Sequence, residues 1–390
     1  MRGLWRTPIQ LTENLLSSYG ALAGALLLCL FTLVATAVAW FVPLANWDMF
    51  AYVATALEDR FSDIQMLHQA AYQAVAERVE DGDFLVLTQD RDYRIRQYAD
   101  PAAFATMLGF YRVKLLYVEL ATLLSGLMHP VDALRLISTA SAALYGLLVI
   151  FWAWQRQSLK LAPLILALLV LAAIAPTARF AVPDLMASVF VLAACLAFLR
   201  RADLLAALCL LLAFFTRPDH LAFLAVLATL ALFMKREGLW LAAAALIAFA
   251  SYFLLTGAAD HPGWWVQIWF THIEYVETLE GFSPAFSVIA YMRVIIQVLV
   301  RWLVEETWAA ILLVELFALW VLRLHGSLFM GRERLLLAAL VSTIAAKFFV
   351  MPMHETRFHL AYIVPIGLIL IDVAARSFRP AIAHMQKPRS

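Results

Sequence analysis

The sequence predicts an all-α polytopic membrane protein, a bundle of about 11–12 transmembrane or half-span helices with a large first extracytoplasmic loop holding short interfacial helices. Three observations carry this prediction. Of 390 residues, 64% are hydrophobic and 15% charged, against about 25% charged in a soluble domain. Apolar runs of helical length recur from end to end and are separated by two polar excursions. Basic residues with few acids mark one set of connections, and acids mark the other.

The elements follow in order. Arg2 and Arg6 precede a first run at 21–42. That run is too long for the apolar core of a signal peptide and has no clear cleavage site, so it is expected to stay as the first span. Further runs lie near 107–128, 131–153, 161–176, 182–199, 203–216, 218–234, 239–257, 286–304, 306–323, 335–351 and 359–375. Several fall short of the ~20 residues that cross a bilayer. Pro163, Pro176, Pro183 and Pro218 interrupt the pieces around 161–216. Broken helices at membrane depth need protein or a wet cavity around their freed backbone, which hints at an internal cavity.

Residues 43–106 hold eleven Asp or Glu against five Arg and no Lys, and form the first extracytoplasmic loop. Residues 258–285, with Trp264, Trp265, Trp269, His261 and His272, form a second such loop that could serve as a lid. Basic stretches at Arg156/Lys160, Arg200/Arg201, Lys235/Arg236, Arg323/Arg332/Arg334 and the tail (Arg376, Arg379, Lys387, Arg389) are assigned to the cytoplasm. One parity conflict stays open. Two runs between 107 and 153 would return Arg156 to the outside, unless 107–128 lies partly in the interface or 161–176 is a half-span. No repeat or second domain is evident, so residues 1–390 read as one membrane domain.

The net charge of +1 argues against a nucleic-acid partner. Cys29, Cys195 and Cys209 sit in apolar runs without paired spacing, so neither disulfide nor zinc site is expected.

Charged residues near membrane depth are costly and usually have a partner or a task. Asp48, Arg112, Lys114, Arg179, Asp184, Arg217, Asp219, His354, Glu355 and Arg357 come from distant runs, yet all are assigned to one leaflet. Their convergence predicts one polar site opening outward. Simpler roles compete with that reading. Asp48 could cap a helix over 49–58, and Asp184 and Asp219, each after a proline, suit a first helical turn. Arg112 and Lys114 could snorkel at the interface, and the tryptophans of 258–285 could form an aromatic belt. "HETR" at 354–357, between two apolar runs, is more than a turn requires.

This layout resembles the GT-C superfamily of polytopic membrane glycosyltransferases, both its mannosyltransferases and its bacterial lipid-A-sugar transferases. Asp48, beside Trp47 and near Tyr52, begins the first loop, where that superfamily places its catalytic acid. "HETRF" (354–358) is similar to a His-Lys-Glu-x-Arg-Phe motif of the mannosyltransferases, without the Lys, and "ARFAVPDLMASVF" to an Arg/Asp segment of bacterial members. A single Asp48 follows Asn46-Trp47, where many members carry paired acids.

The resemblance implies inverting transfer of a hexose or pentose from a polyprenyl-phosphate donor to a hydroxyl of a glycan, lipid or protein acceptor. Asp48 would be the general base. Arg112, Lys114, Arg217 and Arg357 would hold the donor phosphate, where Arg offers a bidentate fork. Arg179, Asp184, Asp219, His354, Glu355, Trp47 and Tyr52 would bind substrate. No cofactor is expected, and nothing in the sequence supports a divalent metal. A bacterial inner membrane is the expected location, with the site facing the periplasm or exterior. A non-catalytic assembly scaffold of the same fold and a secondary transporter are the other readings. Against a transporter, no related halves are visible.

Overall fold

The computed structural model describes residues 6–233, 238–327 and 329–377, with side chains from residue 20 onward. The basic residues Arg2, Lys235, Arg236, Arg379, Lys387 and Arg389 lie outside the described residues. The fold is all-α. Only one isolated backbone bridge, between Leu44 and Phe180, departs from helices and turns among the described residues.

Four helices are long and apolar enough to cross a membrane: Gly20–Phe41 within the first helix, Pro130–Gln155, Leu239–Ala258 and Leu360–Ser377. A fifth crossing arises if Val288–Glu305 and Trp308–Leu324, which meet at an 83° bend, count as one. Most of the other apolar runs form shorter helices, among them Leu115–Ser125, Asp184–Leu199 and Asp203–Thr216, while the run at 335–351 lies in the 20-residue helix Gly331–Val350. This composition is compatible with a multi-pass membrane protein.

The connections divide the bundle between two ends. At one, Arg156 after helix Pro130–Gln155 meets Glu333 and Asp372, and Arg376 also pairs with Glu333. Arg332 joins the same end through Asp203 and the carbonyl oxygen of Phe198. The other end carries the first polar loop and the turns at 217–220 and 351–359.

This arrangement bears on the parity conflict. Helix Leu115–Ser125 has 11 residues, about 16 Å at 1.5 Å per residue, too short for a ~30 Å hydrocarbon core. It starts beside the Asp48 region, and the chain just beyond it, at His129 and Asp132, pairs with Glu77 and Arg78 of the first loop. The segment therefore begins and ends at one end of the bundle, and between 107 and 155 only helix Pro130–Gln155 is long and apolar enough to cross a membrane.

Small residues set the closest approaches. A methyl group at Gly24 would fall on the carbonyl oxygen of Leu159, and one at Gly146 on the side chain of Thr32. Such contacts let the first helix lie against Pro130–Gln155 and the 159–161 turn, the small-residue packing common among membrane helices. The opposite face of the first helix exposes Leu22, Leu26, Leu30 and Leu33, a face suited to lipid. The helix expected over 161–176 breaks at Ala173, whose φ of 55° is left-handed. Thr307 Oγ1 donates to the freed Leu171 carbonyl at 2.8 Å, so the broken end is not left unsatisfied.

The first polar loop is itself helical. Its pieces are Asp48–Leu57, Ile64–Ala76, Asp81–Gln89, Asp92–Ala99 and Pro101–Ala105, and Gly109–Arg112 follows just after it. Asp63 caps the second, accepting from the Gln65 and Met66 amides at 2.6 and 3.2 Å. Asp100 caps the fifth, with Pro101 at its first position. These helices share a core of Trp47, Phe50, Tyr52, Tyr72, Phe104 and Tyr117, separate from the larger apolar core between the long helices. The 258–285 segment rests on them through the Leu279 amide, which donates to Thr106 Oγ1 at 3.0 Å.

Candidate functional site

The site lies where the first loop meets the turns at 217–220 and 354–358. Asp48 opens helix Asp48–Leu57 but does not cap it, since Trp47 is the cap residue and no side-chain cap bond forms. The carboxylate turns inward instead. Tyr111 Oη donates to Asp48 Oδ1 at 2.7 Å, and Asn46 Nδ2 approaches Oδ2 at 3.4 Å. Burial, then the neighbouring Asp48 charge, raises the Tyr111 phenol well above its usual range, so Tyr111 stays the donor and aims the carboxylate. Arg357 Nη1 stands 3.8 Å from Oδ2.

Arg357 is anchored by Glu355, its Nε donating to a carboxylate oxygen at 2.5 Å, and it packs over the Phe358 and Phe180 rings. Burial opposes its charge, but Asp184, Glu355 and Asp48 outweigh that and hold the guanidinium protonated. Arg217 lies deeper. It pairs with Asp184 and bonds Asp219 through Nε at 3.0 Å and Nη2 at 3.3 Å. Burial again disfavours its charge, and the two carboxylates override it. Asp184 opens helix Asp184–Leu199 without a cap bond, so its electrostatic partner is Arg217 as well as the helix terminus.

Lys347, from helix Gly331–Val350, completes this layer. Its ammonium lies 2.5 Å from Asp219 and donates to the Phe358 carbonyl at 2.8 Å. Asp184, Arg217, Lys347, Arg357 and Phe358 line one small recess together.

Lys114 faces the same group under different constraints. Its Nζ donates to the Phe110 carbonyl at 2.5 Å and sits over the Tyr111 and Tyr52 rings, 4.7 and 5.7 Å from their centroids. No carboxylate pairs with it among the described residues. Burial, and next the positive Arg217, pull its ammonium down to about 8. A cation that is electrostatically stressed and unpaired is a natural seat for an incoming anion.

The side chains differ in reach. Asp48 is 30% exposed, whereas Asp184 is 3% exposed and already bound to Arg217. Of the two, Asp48 is the acid that a hydroxyl-bearing molecule could meet.

Six residues named from the sequence therefore gather around Asp48: Lys114, Asp184, Arg217, Asp219, Glu355 and Arg357. Tyr52 belongs to the wall, edge-on to Tyr111 and Tyr117 at 4.9 Å each. The remaining four sit elsewhere. Trp47 is buried against Tyr93, Phe104 and Tyr111, a packing position rather than a lining one. Arg112 is held by Glu58 through three bonds of 2.7 to 3.0 Å, which occupies its fork. Arg179 donates to the Val42 carbonyl at 2.6 Å and lines a separate cavity. His354 turns to Glu305 at 3.7 Å, while its carbonyl accepts from Trp308 Nε1 at 2.6 Å.

Sequence reasoning missed Tyr111 and Lys347. Lys347 is the one charge within the 335–351 run, a signal that was there to read. Tyr111 carried none, because tyrosines are common at membrane interfaces. Among the described residues, no group of three or more His, Cys, Asp or Glu side chains is placed to hold a metal ion.

In comparisons with protein-family models, with curated proteins and with solved structures, the chain matches none.

Proposed function

We propose that the protein is a membrane glycosyltransferase of the GT-C type, transferring a sugar from a polyprenyl-phosphate donor to an acceptor hydroxyl, with Asp48 as general base. One observation carries the reading: an accessible, oriented carboxylate lies beside two cations, Lys114 without a carboxylate partner and Arg357 at 3.8 Å. Inverting transfer needs this pairing. The carboxylate takes the acceptor proton as that oxygen forms its bond to the anomeric carbon. The anomeric carbon–oxygen bond breaks on the opposite face, and its electron pair leaves with the lipid phosphate. Cations placed where that charge grows favour the transition state.

In this reading Asp48 holds the acceptor hydroxyl, while Lys114 and Arg357 receive the phosphate. Arg217, Asp184, Asp219 and Lys347 form the rigid charged floor that keeps Arg357 and Lys114 in place. Arg112, engaged by Glu58, is not assigned to the donor phosphate, nor are Arg179, His354 and Trp47 assigned to the substrate.

The reading is tested by mass spectrometry of lipids that co-purify with the protein. A polyprenyl-phosphate sugar, depleted in Lys114→Ala, is the expected finding. Its absence from wild type purified from a host that makes such lipids would count against the donor assignment.

An assembly scaffold is the second reading, favoured by the saturation of Arg217 between two acids. It predicts that Asp48→Asn leaves the cellular product unchanged.

A further inference from the structure

A second cavity, of about 240 Å³, lies away from the Asp48 cluster at the end of the first helix. Its walls come from the chain at 39–45, the loop residues Arg78, Glu80 and Asp83, the first turns of helix Pro130–Gln155, and the 178–181 turn. Helix Gly20–Phe41 contributes 22 residues, about 33 Å, close to a ~30 Å hydrocarbon core. The cavity opens where that helix ends and helix Pro130–Gln155 begins, the place that faces the headgroups when both helices span a bilayer. Phe41 and Val42 are exposed on its rim.

Its charges do not cancel each other. Arg179 Nε is committed to the Val42 carbonyl, and its two terminal nitrogens meet no carboxylate among the described residues. Arg135, stacked over Trp40, has a weak pairing with Asp132 at 3.4 Å and a buried Nε with no acceptor. Glu80 and Asp83, both exposed, make no ion pair among the described residues. Arg78, the third arginine of the wall, is held by Asp132 at 3.0 Å, which leaves two unpaired acids and the terminal nitrogens of Arg179 in one cavity. A purely anionic ligand would be repelled by Glu80 and Asp83, and a cation by Arg135 and Arg179.

We propose that this cavity binds a zwitterionic aminophospholipid headgroup, a phosphodiester bearing a primary ammonium. The phosphate sits on Arg179 and Arg135, which suit phosphate geometry. The ammonium donates hydrogen bonds to Glu80 and Asp83, and the acyl chains run along Phe41, Val42 and the outer face of the first helix. A quaternary ammonium has no N–H to donate, and a glycerol headgroup has no cation, so both bind less well. The site is independent of the transferase reading and needs no transfer to be observed.

The test uses the full chain in nanodiscs of equal parts phosphatidylethanolamine, phosphatidylcholine and phosphatidylglycerol, followed by native mass spectrometry of the lipid retained. Wild type is expected to retain phosphatidylethanolamine roughly ten-fold over the other two, the scale of one charge-assisted hydrogen bond. Glu80→Gln/Asp83→Asn, both at exposed positions and checked by thermal unfolding because they start helix Asp81–Gln89, should erase the preference while retention persists. Arg179→Ala should lower retention of all three, and Arg179→Lys should restore part of it. Equal retention in wild type, or a preference that survives the double substitution, overturns the proposal. Displacement of the lipid by millimolar inorganic phosphate would show that the cavity reads a free anion, and would overturn it as well.

Discussion

Lys114 offers a prediction that reads the electrostatics of the site directly. Its ammonium is drawn down to about 8 from 10.5 by burial and by Arg217. With a midpoint of about 8, the side chain is about 90% protonated at pH 7 and about 10% at pH 9. At the ordinary value it would remain over about 95% protonated at pH 9. Since the charged form is the one a phosphate requires, affinity for a polyprenyl phosphate in nanodiscs should fall about ten-fold between pH 7 and pH 9. The sequence has five lysines, so carbon-13 dimethylation gives few NMR signals, and Lys114→Arg assigns the relevant one. The Lys114 signal should titrate near pH 8, and the Arg variant should lose the pH dependence of phosphate binding. A midpoint near 10.5 would refute the reasoning, because Lys114 would then be solvated and remote from Arg217.

Three further outcomes follow from the packing. Asp219→Asn removes the counter-charge of buried Lys347 and half the support of Arg217, so unfolding in detergent should become easier by about 3–5 kcal/mol. Lys347→Met should cost less, since Asp219 keeps Arg217; equal losses would contradict this assignment of partners. Gly24→Ala sets a methyl group against the Leu159 carbonyl and should cost about 1–3 kcal/mol by thermal unfolding, whereas Gly257→Ala, with open space around it, should cost little. Tyr111→Phe removes the bond that aims Asp48, and should lower kcat more than it raises KM, because the carboxylate remains but its orientation loosens.

Much of this was legible in the sequence. The apolar runs mark the long helices to within a few residues, because a membrane-length helix has one dominant signal, its uninterrupted apolar length. Asp48, Asp184, Arg217, Asp219 and Arg357 were visible as charges that an apolar setting makes expensive, and such groups tend to find one another. Which charge finds which was not legible. Arg112 and Lys114 are two residues apart, yet Glu58 claims the first and no acid reaches the second. Trp47 and Asp48 are adjacent, but helical rotation buries one in aromatic packing and aims the other at Tyr111. The short helix Leu115–Ser125 was ambiguous for a related reason: hydropathy marks the 107–128 run as apolar but does not say that only 11 of its residues form the helix.

The central claim is best tested by sugar transfer in proteoliposomes containing the host's total polyprenyl-phosphate sugars and acceptor lipids, wild type against Asp48→Asn. The substitution keeps the size of the side chain and its bond from Tyr111 but removes the proton acceptor. Transfer should fall by about 10²–10⁴-fold with unchanged thermal stability and donor retention. Transfer by Asp48→Asn at the wild-type rate would contradict the account.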